Sequence, residues 1–279
     1  MVSSDAHGLG YHDVDGDPHA AILVANMDAT AEWRATQRLR SWEQQQLGLV
    51  DGERVLDVGC GRGDVAISLG FDLGATGEMV GVDASAVMLD VARRRSSGVP
   101  CAVRFSVGDA RSLAEADQSF DVVRSERTLQ WLSEPSSVVA EFVRVLRCGG
   151  RLSLIDTDWS TLHLDVGDSQ ITSMVRDGLS VERSRPSNVG RRLAELATTA
   201  GWDVTTETTA TQIWTRWNPD ESPAPDGCFS MTSLAEDLVE KGQLEAGDVT
   251  HFVGKIHEAA RRQRFKMSLR MHAFIAVRP

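Results

Sequence analysis

The run Asp57-Val58-Gly59-Cys60-Gly61-Arg62-Gly63 holds residue types from which a binding site can be built. Glycines at every second position leave main chain free of side chains. A ligand can then settle directly on backbone N–H groups at the start of a helix. Asp57 stands just ahead of the first glycine, so donors and a carboxylate occur together. That combination suits a ligand bearing both an amine and a carboxylate. A second acid, Asp83, ends the apolar run Glu78-Met79-Val80-Gly81-Val82, and a third, Asp109, follows in Gly108-Asp109-Ala110. An acid at the carboxyl end of a strand is well placed to receive ribose hydroxyls.

The spacing excludes two common phosphate sites. A dinucleotide turn reads G-x-G-x-x-G, but here the third glycine, Gly63, comes one position early and Asp64 takes the place a glycine needs. A carboxylate there would face a pyrophosphate. No Gly-Lys-Ser/Thr follows, so the turn is not a P-loop. On the glycines alone, a tight strand-to-helix turn without a ligand stays open.

These residues need elements to position them. The apolar run Arg54-Val55-Leu56 predicts a strand, and Asp64 to Leu73 a helix. After the strand ending in Asp83, Ser85 caps a helix with Val87, Met88 and Val91 on one face. Further strands are predicted at Val103–Val107, Phe120–Val123 and Arg151–Ile155, the fourth leading into Ser125-Glu126-Arg127 and the fifth into Asp156-Thr157-Asp158-Trp159. Between those two strands a helix starts near Pro135, presents Val138, Val139, Phe142, Val145 and Leu146, and is expected to stop at Gly149-Gly150. Five strand–helix units of this kind predict a parallel sheet covered on both faces, with polar residues gathered at the strand C-termini.

With these residues in place, the sequence resembles the class I S-adenosylmethionine-dependent methyltransferases, in particular the small-molecule type of quinone and natural-product biosynthesis. The motifs that carry the likeness are VLDVGCGRG, GVDAS, GDAR, FDVV and VLRCGG, between about Val55 and Asp158. The resemblance implies an α/β fold: a Rossmann-like, seven-stranded, mostly parallel sheet with an antiparallel C-terminal strand, plus N-terminal and C-terminal helical cap segments. It implies S-adenosylmethionine as cofactor, S-adenosylhomocysteine as product, and no metal. The turn at Gly59, Cys60 and Gly61 should cradle the amino-acid end, with Asp57 orienting the turn and the amine. Asp83, beside Ala84, should accept the ribose hydroxyls. Met88 should pack on the adenine, Asp109 after Gly108 should accept its amino group, and the Ala110 N–H should meet the ring. Ser125 should lie near the methionine moiety. Where many relatives carry a histidine this chain has Trp131, so a catalytic histidine is not available there; Trp131 is either pocket wall or core.

Methyl transfer is an in-line displacement, in which the enzyme mainly holds nucleophile and methyl roughly 3–3.5 Å apart. A base is needed only for a protonated hydroxyl, an ammonium or a carbon acid. His163 and His12 are the candidate bases. Tyr11, Arg127 and Trp159 are the candidate acceptor contacts, with Glu126, Asp158 and His19 as further polar candidates. A solvated loop, a loose terminus or a surface arginine is the competing reading for each. His251, His257 and His272 read as structural. A non-catalytic cofactor-binding module on the same fold is the rival function.

The 279 residues exceed what five strand–helix units need, and 42% hydrophobic content suffices for one sizeable core. The expected organisation is a lid or cap over 1–48 and a catalytic domain over 49–279. Helical insertions at about 164–185 and 226–263 are expected to cover the site. Residues 1–17 look flexible and 18–48 helical, with tryptophans that line either pocket or core. A net charge of −11 without a basic stripe speaks against nucleic acid as a partner. Arg93-Arg94-Arg95 reads as a solvated helix end. No apolar run of ~18 residues occurs, so no membrane partner is expected. Four scattered cysteines fit no metal spacing, and a reducing cytoplasm is the expected setting. A small-molecule acceptor is the expected partner, and a homodimer or higher oligomer is left open. Towards the C-terminus, a helix is expected over Asn188–Ala200, a strand over Val204–Trp217, and helices near 230–241 and 246–262. Strict alternation from Phe265 to Val277 predicts a last strand, antiparallel beside the fifth.

Overall fold

Strands β1 (Arg54–Val58), β2 (Glu78–Asp83) and β4 (Phe120–Glu126) are buried along nearly their whole length, as their continuous apolar runs require of strands covered on both faces. They belong to a computed structural model that describes residues 14–16, 20–170, 172–174, 188–222, 224–225, 231–240, 242 and 244–279. Tyr11, His12, His19 and Cys228 lie outside the described residues, as does most of the first expected insertion. With β3 (Ala102–Val107), β5 (Leu146–Asp165), β6 (Asp203–Trp214) and β7 (Lys266–Val277), the strands form one seven-stranded sheet of order β3-β2-β1-β4-β5-β7-β6. The first five strands in this order run parallel; β7 is antiparallel to both β5 and β6. From β1 the chain moves outward to β2 and β3, then returns to lay β4 on the other side of β1. The crevice above β1 and β4 is therefore the switch point where such sheets bind ligands.

On one face, α5 (Pro135–Val145) and α6 (Val189–Thr199) bury Val138, Val139, Phe142, Val189 and Leu193 against β1, β2, β4 and β5. The other face is covered by α2 (Arg34–Leu47) and α3 (Asp64–Gly70), and further along by α7 (Met231–Glu240) and α8 (Ala246–Arg261). Helix α1 (Ala20–Ala31) precedes α2, and α4 (Ala86–Arg95) follows β2. Trp33 and Trp214 meet edge to face at 4.9 Å inside the α7–α8 core, so these two tryptophans are packing residues.

Several boundaries differ from expectation: β4 runs on to Glu126, β6 ends at Trp214 and α3 at Gly70, and two further differences change how a motif reads. Helix α5 ends at Val145 and strand starts at once with Leu146, so Gly149-Gly150 is no helix stop. There the backbone pairs with the chain end: the Gly149 N–H donates to the Arg278 carbonyl and the Arg278 N–H to the Gly150 carbonyl. Strand β5 also runs on past Ile155 to Asp165, because β7 pairs with it from Arg151↔Val277 to Asp165↔Lys266 across a bulge between Asp158 and His163.

Candidate active site

The three turn glycines all have positive φ: +73° at Gly59, +52° at Gly61 and +81° at Gly63. Each also touches a different element. A Cβ at Gly59 would fall 2.0 Å from Thr128 Oγ1 after β4, and one at Gly61 2.6 Å from Met27 Cε of α1. At Gly63 it would fall 2.8 Å from Ala92 Cβ of α4. Only glycine satisfies both demands. The Gly59 and Cys60 N–H groups donate to the Val82 carbonyl at 2.7 and 3.1 Å. Cys60 turns its thiol beneath the turn, where a Cβ on Gly81 would meet Sγ at 2.8 Å; burial pushes that thiol up and leaves it inert.

Asp83 braces the turn. Its Oδ2 accepts the Gly61 N–H at 2.7 Å and its Oδ1 the Ser85 N–H at 2.9 Å. Burial raises its carboxyl, and the N–H groups of Ser85 and Gly61 pull it part of the way back. Ala84 lies between these partners, and Ser85 caps α4 by accepting the Met88 N–H at 3.1 Å. The Gly108 N–H donates to the Asp83 carbonyl at 3.0 Å, bringing the tip of β3 alongside. Beyond it Ala110 is half-buried, while Asp109 is exposed and held by Arg111 through Nη2 at 2.6 Å and N–H at 2.9 Å. That partner keeps the Asp109 carboxyl below its usual range.

The N-terminal cap lies directly on these tips. Val14 and Leu23 pack on Met88, which is fully buried. Asp15 accepts from Ser85 Oγ and from the N–H groups of Ala86 (2.8 Å) and Val87 (3.2 Å), placing a second acid at the α4 N-terminus. Arg62 donates to the Met27 carbonyl at 3.1 Å and pairs with Asp28 and Asp64. Arg95 bridges the same two acids at 3.1 and 3.2 Å, so it is a cap contact and not a bare solvated end. A cleft of about 570 Å³ opens beside the turn, lined by Asp28, Glu32, Gln37, Arg40, Arg62 and Asp64. That volume falls within the range of small-molecule sites.

Under the turn lies a buried ionic network that the sequence reading missed. Arg124, in the middle of β4, is only 2% exposed at its side chain and donates to Asp57 Oδ1 at 2.7 Å and to Glu43 of α2 at 3.0 and 3.1 Å. Its third carboxylate is Glu126 at 3.2 Å, which also takes a two-pronged contact from Arg40 of α2 at 2.9 Å and lies 3.3 Å from Arg127. Three guanidinium groups thus face three carboxylates. Burial opposes the charge on Glu126, but Arg40, Arg127 and Arg124 outweigh it and hold that carboxyl well below the usual range. Asp57 is left the other way: burial lifts its carboxyl to about 6, Arg124 offsetting only part. Its Oδ2 is buried with no hydrogen-bond partner. The signal that could have exposed the network is an arginine inside the apolar run Phe120–Val123 and its continuation, because a charge on a strand buried on both faces requires partners.

The acceptor candidates separate into two groups. Ser125 Oγ donates to the Val58 carbonyl at 2.7 Å, stitching β4 to the start of the turn. Arg127 sits at φ +53°, a conformation costly for a side chain of this kind, with its N–H on the Ile155 carbonyl at 2.7 Å. Gln130 joins three residues: its Oε1 accepts from Trp159 Nε1 at 2.6 Å, its Nε2 donates to the Arg127 carbonyl at 3.0 Å, and its N–H donates to Asp156 Oδ2 at 3.2 Å. Asp156 is fully enclosed, and burial pushes its carboxyl to about 7. Arg127 and Trp159 are thereby brought together, with Asp156 and Gln130 unforeseen. His163 is exposed beyond the β5 bulge, in register with Ser268, and the structure does not bring it to this group. His251 pairs with Asp168 at 3.0 Å on the surface, and His257 meets the Trp217 ring edge to face.

Comparison with known proteins bears on the family and the fold. A methyltransferase-domain family model matches residues 55–150. The methyltransferase GfsG of Streptomyces halstedii is 31% identical over 227 residues, covering 81% of this chain and 78% of that protein. An uncharacterized 37.1 kDa protein in transposon Tn4556 of Streptomyces fradiae is 33% identical over 249 residues, covering 88% and 70%. Among solved structures, geranyl diphosphate methyltransferase in complex with SAM shares the fold with a TM-score of 0.52. It is 21% identical, over 96% of this chain and 95% of that one.

Proposed function

Given that this chain belongs to the class I S-adenosylmethionine-dependent methyltransferases, we propose that it methylates a small-molecule acceptor, a specialised metabolite, in the cytoplasm. The observation that carries the reading is the pairing of a side-chain-free turn with Asp57 Oδ2, a buried oxygen lacking a partner. A carboxylate oxygen in that condition favours a cationic donor, and an α-ammonium is one. The residues present therefore fit the cofactor. Gly59, Cys60 and Gly61 would line its amino-acid end with bare main chain, although their N–H groups are already given to Val82 and Asp83 and are not free donors as the sequence suggested. Asp83 would hold its ribose with Ala84 alongside, and Met88, Gly108, Asp109 and Ala110 its adenine. Asp109 would do so by sharing or exchanging Arg111. Ser125 would fix the end of β1 under the turn. When bound, S-adenosylmethionine supplies an electrophilic methyl group.

What the chain itself adds is enclosure and alignment. Helix α1 lies across the turn through Met27 and the Arg62–Asp28 pair, which covers part of the strand tips. Arg127 and Trp159, joined through Gln130, would form the acceptor wall, with Tyr11 and the rest of residues 1–48 as its lid. The helical segments at about 164–185 and 226–263 would complete the cover. A hydroxyl or ammonium acceptor would need a base; of the two candidates His163 lies exposed beyond the β5 bulge, away from this wall, which leaves His12. The small-molecule assignment draws on the methyltransferase GfsG and on the acceptor in the name of geranyl diphosphate methyltransferase. The test is incubation with methyl-labelled S-adenosylmethionine and a panel of phenols, amines and indoles. Labelled product from one of them is expected; cofactor binding without transfer to any acceptor, in a panel widened to terpenoid and polyketide alcohols, would leave a binding module instead.

A further inference from the structure

The buried network ties the cap helix α2 to the end of β1 through a single guanidinium. Arg124 Nη1 holds Asp57 Oδ1 at 2.7 Å, while Nε and Nη2 hold the two oxygens of Glu43 at 3.0 and 3.1 Å. Glu43 is itself fixed by Ser153 Oγ of β5 at 2.6 Å and is completely buried. Arg124 is therefore restrained on both sides, and Asp57 can meet it with one oxygen only. The other oxygen, Oδ2, is buried and unpartnered. Nothing in the folding of the sheet requires this arrangement. A Leu at 124 and apolar residues at 43 and 57 would pack in the same space at lower desolvation cost.

We infer that Glu43 and Arg124 are positioning residues for the donor's α-ammonium: they hold Asp57 so that its second oxygen is reserved for that cation. The inference rests on the proposed contact between Asp57 and the cofactor amine. Glu43 also balances charge. Counting Arg124, Arg40 and Arg127 against Asp57, Glu43 and Glu126, the cluster is neutral; without Glu43 it carries one net positive charge, which repels an ammonium. The charged groups facing Asp57 are Arg124 and Glu126 from β4 and Glu43 from α2. Because Glu43 belongs to α2, the quality of the amine site depends on α2 being docked.

The experiment compares two ligands by calorimetry at one pH: S-adenosylhomocysteine, which bears the ammonium, and 5′-methylthioadenosine, which lacks the whole amino-acid end. Glu43→Gln should weaken the first about tenfold and leave the second within about twofold. Glu43→Asp should restore much of the loss. Should Glu43→Gln fail to fold, Arg124→Lys serves: it keeps the cation but cannot grip Glu43 and Asp57 together, and the same selective loss is expected. Equal weakening of both ligands, or no change in either, overturns the positioning role. Asp57→Asn is measured alongside. If it affects both ligands alike, the amine contact itself is wrong; if it is selective while Glu43→Gln is not, only the relay from α2 falls.

Discussion

Replacing Asp83 separates what the strand tip does for the fold from what it does for the ligand. In the structure its two oxygens accept the Gly61 and Ser85 N–H groups at 2.7 and 2.9 Å. Asp83→Ala strands both donors, at a folding cost of about 1–3 kcal/mol for each donor that water does not reach. Water can reach part of this tip once the carboxylate is gone, so the lower end of the range applies. At about 2–4 °C per kcal/mol for a chain of this order of length, a melting-temperature drop of several degrees is expected. Losing charged hydrogen bonds to ribose hydroxyls should separately weaken S-adenosylhomocysteine by about 1.5–3 kcal/mol, or roughly 10- to 150-fold in Kd. Asp83→Asn keeps one acceptor, so it should recover about half of that drop in melting temperature while affinity stays low. Differential scanning calorimetry and titration calorimetry on the same samples give both quantities. A variant that melts early yet binds with unchanged Kd would refute the ribose assignment and reduce Asp83 to a brace for the turn.

Other substitutions probe neighbouring steps. Gly59→Ala meets Thr128 at 2.0 Å whereas Gly98→Ala, also at positive φ, meets nothing within 4 Å. Gly98→Ala should thus cost about 1–2 kcal/mol of unfolding free energy and Gly59→Ala clearly more, with binding lost only in the latter. For Asp156, burial raises the folded carboxyl from 3.8 to about 7, so its stabilising contribution is complete below the unfolded value and is lost as pH rises through 7. The stability of Asp156→Asn relative to the parent should therefore improve between about pH 4 and pH 8, by at most about 4 kcal/mol. Denaturant midpoints across that range check the sign, and a difference that stays flat contradicts it. Trp159→Phe removes the 2.6 Å bond to Gln130 and frees the wall beside Arg127. It should raise KM for the acceptor several-fold while cofactor Kd stays unchanged, as steady-state kinetics would show.

Much of this arrangement was legible before any coordinates because it is local. Glycine spacing, strand-tip acids and period-two alternation over Phe265–Val277 each report on residues close in sequence, and the corresponding elements lie where expected. What stayed hidden is long-range. Leu39 and Leu47 put Glu43 on the inward face of α2, but Arg124 is 81 positions away and no local pattern names it as the partner of that acid. The positive φ of Arg127 follows from the Ile155 carbonyl that captures its N–H across β5, a contact no local pattern announces. Gly149-Gly150 misled for a related reason: a glycine pair after a helix reads as a stop, but here the chain end returns to pair with it. The cap showed the same limit. Residues 18–48 read as helical, but the placement of α1 with Met27 on Gly61 depends on Asp28 meeting Arg62 and Arg95 from separate elements.

The most direct measurement is a crystal structure of the chain grown with S-adenosylhomocysteine. The account predicts the ammonium within hydrogen-bond distance of Asp57 Oδ2, the ribose hydroxyls on Asp83 and the sulfur facing the wall of Arg127 and Trp159. Ligand density lying elsewhere, or an ammonium turned away from Asp57 with Oδ2 still lacking a partner, would contradict it.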